Sequence, residues 1–309
     1  MLYGISGRDC TLVISNLSTY ASGIPVYEYT WLEMPLLRDI AVPLSFFTNP
    51  IKSVGADTYA TIATTIVPAR TLSATFLLQS TQLTNQVLFP FSLYSVKGLP
   101  PFLKQKLILV FRKPFENDIV TAEIPEAVPT RWELQVRDNN VATVTITWSF
   151  NTVNFYDRAM PVLISINPDD EFVTIRNVIT SFNPDIIPPH GVRGLTFRVN
   201  VPVSWRHRIN IHPTKIAYDF SINRWDVELQ LTFSPDSPLW MMRQVELLPS
   251  TDAYEVSFSL IPQDGVSRVF YLTPPVRLET GNTSVRVEGP VETTVTLRAM
   301  GFSTEVFLI

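Results

Sequence analysis

Apolar and polar residues alternate with period two along almost the whole chain, which is the pattern of half-buried β-strands. In the first half the alternating stretches are TLVIS (11–15), TYATIATTIV (58–67), TLSATFLLQS (71–80), KLILVFRK (106–113), DIVTAEI (118–124), RWELQVRD (131–138) and ATVTITWSF (142–150). In the second half they are PVLISI (161–166), VTIRNVITSF (173–182), LTFRVNVPVSW (195–205), KIAYDFSI (215–222), DVELQLTF (226–233), YEVSFSLI (254–261), SRVFYLT (267–273), TSVRVEG (283–289) and TTVTLRAM (293–300). These stretches are rich in Val, Ile, Thr and Phe and end at Pro, Asn, Asp or Gly, so the sequence predicts an all-β protein.

Helical signals are confined to one short segment in each half. In SPDSPLWMMRQVELL (234–248), Ser237 is a candidate N-cap and Pro238 occupies the first helical position, with apolar residues at helical spacing behind them. STQLTNQVLFPF (80–91) is the shorter counterpart in the first half. We therefore expect one short helix per half.

The two halves resemble each other. Thr143-Val144-Thr145-Ile146 returns as Thr294-Val295-Thr296-Leu297, about half the chain later. Five segments match in the same order: 11–16 with 162–167, 74–80 with 227–233, 106–114 with 255–263, 119–124 with 267–272, and 134–146 with 285–297. The pattern predicts two tandem β-sandwich or barrel modules, 1–155 and 156–309. Two independent β domains, or one large sandwich, are the alternatives.

Composition narrows the function classes. Only 17% of the 309 residues are charged, below the ~25% usual for soluble domains, which is typical of a protein that covers surface against partners. The net charge of −4 lacks the basic excess of a nucleic-acid binder. The single Cys10 excludes an intramolecular disulfide. Because neither a signal peptide nor a membrane helix is recognisable, we expect folding in a cytosol and no membrane partner.

Candidate chemistry is sparse. His207 and His212 stand five positions apart, which places them on opposite faces of a strand, so a shared metal is not expected. We find no phosphate-binding loop, nucleophile elbow or zinc-protease motif. The sequence indicates a non-enzyme without cofactor or metal, although an unrecognised hydrolase stays open as an alternative.

The most basic and aromatic stretch of the chain lies in the second half. Its candidate interface residues are Arg193, Arg198, Trp205, Arg206 and Arg208. Arginine and tryptophan are enriched at the centres of protein interfaces. The same residues could bind phosphates and stack on bases. Because the chain is acidic, we favour a contact between subunits over nucleic-acid binding.

The strands that end each half carry almost no charge, and the chain closes on the apolar STEVFLI (303–309). Such strands favour assembly, because neighbouring subunits then cover them. A module with a short central helix and a final V-x6-TVT strand pair, Val136 to Ile146 and Val287 to Leu297, resembles the tail tube proteins of long-tailed bacteriophages.

The resemblance implies a structural subunit that self-assembles into stacked rings around a hollow conduit for DNA. Members of that family carry one module and form hexameric rings, so two modules per chain imply a trimeric ring with pseudo-sixfold symmetry. The expected partners are further copies, other tail proteins and DNA in transit, and the expected location is the virion tail, assembled in the host cytoplasm. The Pro-rich segment 184–213 has no counterpart in the pattern. A baseplate, distal tail or capsid decoration protein and a carbohydrate-binding β-sandwich module are the alternatives.

Overall fold

The computed structural model is dominated by antiparallel β-strands, as the alternation predicts. The residues that the structure describes are 10–16, 32–33, 37–41, 70–85, 87–91, 104–112, 119–156, 170–182, 192–208, 217–222, 225–234, 255–262, 266–284 and 291–308. Within these ranges the only helical elements are 3-10 turns at Ser80–Thr84 and Ile175–Asn177. The all-β class is therefore confirmed.

The strands of the first half are β1 (Cys10–Asn16), β2 (Leu32–Glu33), β3 (Leu37–Ala41), β4 (Arg70–Leu77), β5 (Gln105–Arg112), β6 (Ile119–Arg137), β7 (Thr143–Phe150) and β8 (Asn154–Tyr156). Those of the second half are β9 (Val178–Phe182), β10 (Val192–Asn200), β11 (Val203–Arg208), β12 (Ala217–Ile222), β13 (Asp226–Phe233), β14 (Val256–Leu260), β15 (Val266–Thr273), β16 (Arg277–Ser284), β17 (Glu292–Ala299) and β18 (Gly301–Leu308).

One run of strands crosses from the first half into the second. In order, it consists of β3, β4, β7, the C-terminal part of β6, β10, β13, β17 and β16. We call it the junction sheet, because the pairing of β6 with β10 joins the two halves within it. Every neighbouring pair in this run is antiparallel.

Each half also contributes strands opposite the junction sheet. In the first half β1, β5, the N-terminal part of β6 and β8 pair together, and in the second half β9, β14, β15 and β18 form a separate four-stranded sheet. We call these the first and second companion sheets. The 19-residue β6 belongs to both layers of the first half.

The two halves show the same series of pairings. In the first half β4 pairs with β3 and β7, β7 with β6, β5 with β1 and β6, and β6 with β8. In the second half β13 pairs with β10 and β17, β17 with β16, β14 with β9 and β15, and β15 with β18. The corresponding strands also follow one another in the same order along the chain. The single strand β6 of the first half corresponds to two strands of the second half, β15 and β16. Among the described strands, β2 and the β11–β12 hairpin are additions to this scheme.

Alternation along the strands places one continuous hydrophobic core between the layers, with members from both halves. At its centre Phe270 stacks on Phe258 with 4.5 Å between ring centroids, and Phe197 meets Phe258 edge-on at 5.1 Å. Trp132 of β6 packs 5.9 Å from Phe197 and 5.6 Å from Phe89. The segment after β4 thus inserts an aromatic ring among strands of the second half.

The first-half helix candidate forms only the short 3-10 turn at Ser80–Thr84, because Val87, Leu88 and Phe89 are buried in succession and define no single helical face. The strand expected at 283–289 overlaps the end of β16, Arg277–Ser284, and its remaining residues, 285–289, lie outside the described residues. The strands expected at 58–67 and 161–166 and the helix expected at 234–248 lie outside the described residues.

Among the described residues the core contains one buried cation, Arg268. Arg268 of β15 is 2% exposed, its Nε donates to the Leu83 carbonyl at 2.7 Å, and its guanidinium lies 4.0 Å from the centroid of the Phe89 ring. Its Nη1 is buried and makes no hydrogen bond. Burial lowers the pKa of Arg268 to about 10. The charged form therefore destabilises the fold at every pH below that value, and the penalty relaxes only as the pH rises further.

We expect Arg268→Met to raise the free energy of unfolding by about 1 kcal/mol, because an apolar side chain of similar length removes an unpaired buried charge and keeps a sulfur contact with the ring. Urea denaturation at pH 5, 7 and 9 should give the same gain at each pH. Arg268→Ala is the matched control and should lower stability through the cavity it leaves. A loss in the Met variant as large as in the Ala variant would contradict this assignment.

Candidate functional site

The outer side of the junction sheet, which faces away from the core, is mostly polar along its described central strands, with Leu77 at the end of β4 as an apolar exception. Every second residue there points away from buried partners such as Leu134, Val144 and Leu229. We call this surface the polar face. Its described side chains on the central strands are Ser73, Thr75, Arg131, Glu133, Gln135, Thr145, Thr147, Thr196, Arg198, Asp226, Glu228, Gln230, Thr232, Thr294, Thr296 and Arg298.

Hydroxyl groups pair across the strands on both sides of this face. Thr75 and Thr145 hydroxyls lie 2.9 Å apart, and Ser73 and Thr147 hydroxyls 3.1 Å apart. In the second half Thr232 and Thr294 repeat the arrangement at 3.2 Å. The Thr-Val-Thr strands that carry the internal repeat therefore place Thr hydroxyls in cross-strand contact and their Val in the core.

A ladder of alternating charges crosses the polar face. Arg198 Nε lies 3.0 Å from Glu133 Oε2, across the β6–β10 joint, and Arg198 Nη1 lies 3.2 Å from Glu228 Oε1. Arg298 continues the ladder 3.9 Å from Glu228 and 3.3 Å from Asp226. Arg131 pairs with Glu133 at one end, and Glu279 of β16 pairs with Arg298 at the other. We call these residues the charge ladder.

Contacts within the ladder shift the pKa of Glu133 and of Arg198. Burial alone would raise the pKa of Glu133, but its hydrogen bonds and charge interactions with Arg198 and Arg131 outweigh burial and lower it below the usual value. The hydrogen bond to Glu133 raises the pKa of Arg198. Because the folded-state pKa of Glu133 is depressed, its stabilising contribution is complete above the ordinary carboxyl pKa and is lost as the pH falls through the depressed value. Glu133 and Arg198 are therefore both charged at neutral pH.

In chemical terms, the polar face offers hydroxyls and neutralised charges. The three ladder arginines each contact at least one carboxylate, so a polyanion meets no unpaired guanidinium in the middle of the face. Arg137 and Arg277, near the ends of their strands, make no ion pair with other described residues. The ladder sets three arginines against four carboxylates, so its main electrostatic consequence is that each arginine is paired and that acidic charge is in slight excess.

Within the described part of the chain the junction sheet ends at β3 and β16, and we call the outer edges of these two strands the open edges. Among the described strands β3 pairs only with β4, and β16 pairs only with β17. An open edge presents backbone N–H and C=O groups that can pair with another chain. The polar face therefore lies on a sheet that has no further described strand beyond β3 or β16.

The structure separates the interface residues expected from sequence. Arg198 belongs to the charge ladder, whereas Arg193 lies at the start of the same strand, where its carbonyl accepts the Asp138 N–H at 2.7 Å. Trp205, Arg206 and Arg208 lie on β11, opposite Phe220, Asp219 and Ala217 of β12. Their side chains lie outside the described part, and so does His212. Sequence reasoning missed the acidic ladder residues, whose only signal is their regular alternation with apolar neighbours.

The described residues offer little support for a carbohydrate-binding or metal-binding site. Trp132 and Trp148 are 2% and 0% exposed, so they cannot serve as sugar-stacking platforms, and Trp225 packs edge-on against Phe91. Within the described ranges, no group of three His, Cys, Asp or Glu side chains could hold a metal ion. Nor does this part of the chain contain a helix long and apolar enough to cross a membrane.

Comparison of the chain with protein-family models and with curated proteins found no match to either.

Proposed function

We propose that this protein is a structural subunit of a phage-type tail tube, in which the polar faces of neighbouring copies line a hollow conduit for DNA. The observation that carries the proposal is a polar, charge-paired face on a sheet whose two end strands each have a neighbour on one side only among the described strands. Copies joined head to tail through such a sheet form a ring when the rotation from one copy to the next closes on the first copy. A wall of hydroxyls and neutralised arginines lets a polyanion pass, because each phosphate that finds an unpaired cation adds affinity.

The proposal includes tandem modules of the tail-tube type, at 1–155 and 156–309. The matching series of pairings in the two halves supports it, and so does the shared Thr-Val-Thr strand. Two modules per chain then give a trimeric ring with pseudo-sixfold symmetry. Arg193, Trp205, Arg206 and Arg208 remain candidates for contacts between subunits or rings, and other tail proteins remain the expected partners within a virion.

Negative-stain microscopy of the purified protein tests the proposal. We expect rings or tubes with a central channel and a threefold or pseudo-sixfold outline. Closed rings that never stack would favour a baseplate or distal tail component. Monodisperse monomers at every concentration would contradict the proposal, whereas binding of such monomers to an oligosaccharide panel would favour the carbohydrate-binding alternative.

A further inference from the structure

The joint between the two halves has a defined register. In the antiparallel pairing of β6 with β10, Glu133 stands opposite Arg198, Leu134 opposite Phe197 and Gln135 opposite Thr196. The first half contributes β3, β4, β7 and β6 to the junction sheet, in that order, and the second half contributes β10, β13, β17 and β16. When the two series are aligned, β6 corresponds to β16 and β10 corresponds to β3. The joint therefore links one end strand of the first half to the opposite end strand of the second.

Equivalent positions on the open edges follow from the pairings around the Thr-Val-Thr strands. Thr145 stands opposite Glu133, and the equivalent Thr296 stands opposite Thr280. Thr280 of β16 therefore corresponds to Glu133, and Gly281 corresponds to Leu134.

The other open edge is aligned in the same way through β4 and β13. Ser73 of β4 stands opposite Thr147, and Glu228 of β13 stands opposite Arg298. Thr147 and Arg298 each lie two positions after the equivalent Thr145 and Thr296, so Ser73 corresponds to Glu228. Ala41 stands opposite Ser73, and Arg198 stands opposite Glu228. Ala41 of β3 therefore corresponds to Arg198.

We propose that β16 of one copy pairs antiparallel with β3 of the next copy in the register of the internal joint, with Thr280 opposite Ala41, Gly281 opposite Ile40 and Asn282 opposite Asp39. This inference rests on the proposed function and specifies its partner surface: the occupant of each open edge is a second copy of this chain. The junction sheet then continues through the ring, with internal and intermolecular joints alternating.

The two kinds of joint differ in chemistry. The internal joint carries the Glu133–Arg198 ion pair, whereas the corresponding positions on the open edges are Thr280 and Ala41. The bulky pair Leu134 and Phe197 corresponds to Gly281 and Ile40. The intermolecular joint therefore relies on backbone hydrogen bonds without this charge pair, and ring formation through it depends little on salt.

Disulfide trapping tests the register. In a Cys10→Ser background, Ala41→Cys with Thr280→Cys places two thiols directly opposite each other, within the reach of a disulfide. Under mild oxidation we expect covalent oligomers that stop at the trimer on non-reducing gels. Asp39→Cys with Thr280→Cys is the out-of-register control and should link much less. Gln135→Cys with Thr196→Cys is the positive control and should close within one chain.

The outcomes distinguish failure of the register from failure of the tube. Rings in the micrographs with linking at 39/280 in place of 41/280, or with neither pair linked, overturn the register and leave the tube intact. An absence of rings, with no intermolecular link, overturns both. Linking at 41/280 into open ladders well beyond the trimer supports the joint and contradicts ring closure.

Charge restoration provides a test that is independent of cysteines. Thr280→Glu with Ala41→Arg recreates the internal ion pair at the intermolecular joint, and we expect the concentration needed for assembly to fall roughly two- to five-fold. That gain should disappear at high salt. The reversed pair, Thr280→Arg with Ala41→Glu, should behave alike, and neither single charge should help. Equal gains from the single changes would overturn the pairing.

Discussion

Trp132→Ala is expected to lower the free energy of unfolding by about 3–5 kcal/mol, the range for removing a large buried aromatic side chain. Trp132 packs against Phe89, Phe197 and Phe270. Its Nε1 donates to the Leu88 carbonyl at 2.7 Å, so the substitution also leaves a buried acceptor without its donor.

The position of Trp132 makes the prediction specific. It lies in β6, between β7 of the first half and β10 of the second. Because the core is continuous across that joint, we expect the variant to unfold in a single transition at a lower urea concentration. Trp225→Ala removes the same side chain from a half-buried position and is the matched control, with a smaller expected loss.

Circular dichroism and tryptophan fluorescence should report the same midpoint for Trp132→Ala. Two separated transitions would show that the halves unfold independently and would contradict the continuous core. A loss no larger than that of Trp225→Ala would contradict the central role of the Trp132 contacts.

The sequence predicts the strands well wherever one face is buried. RWELQVRD and DVELQLTF alternate cleanly, and both lie in the junction sheet with their apolar residues in the core. Alternation is sufficient there because a shift of one residue would turn every apolar side chain to solvent.

The continuity of β6 was not predictable in the same way. Pro125 and Pro129 divide its sequence, so two strands are expected. In the structure both prolines lie at interruptions of the ladder, one where the register with β5 shifts and one where the register with β7 shifts. A proline is tolerated there because no regular ladder hydrogen bond requires its N–H.

The charge ladder depends on long-range register, which local patterns do not contain. Arg198 pairs with Glu133 and Glu228, residues 65 and 30 positions away. From sequence alone, Arg198 was grouped with its near neighbours on the chain. The sequence therefore identifies an outward-facing arginine, but its partners follow only from the pairing of β10 with both β6 and β13.

The second large effect concerns the polar face. We expect Glu133→Gln with Glu228→Gln to convert a surface that does not retain DNA into one that binds it. Arg131 loses its ion pair with Glu133, and Arg198 loses its ion pairs with Glu133 and Glu228. Arg298 keeps Asp226 and Glu279. Each glutamine keeps the shape of the glutamate but only one acceptor oxygen, and we expect the loss of these half-buried ion pairs to cost about 1 kcal/mol of stability.

Fluorescence anisotropy with a short DNA duplex, at salt concentrations from 50 to 200 mM, measures the change. Two newly available arginines that each neutralise a phosphate should give a slope of log affinity against log salt of about −2, so binding weakens roughly ten-fold across this range. Wild-type rings should show no such binding.

Glu123→Gln with Glu126→Gln is the matched control. It removes two carboxylates that lie outside the polar face, where Glu123 pairs with Lys106 of β5 and Glu126 pairs with Lys104, just before β5. If this control bound DNA as tightly as the ladder variant, net charge and not the ladder would explain the effect. Strong, salt-dependent DNA binding by the wild type would contradict the conduit and favour a nucleic-acid-binding function.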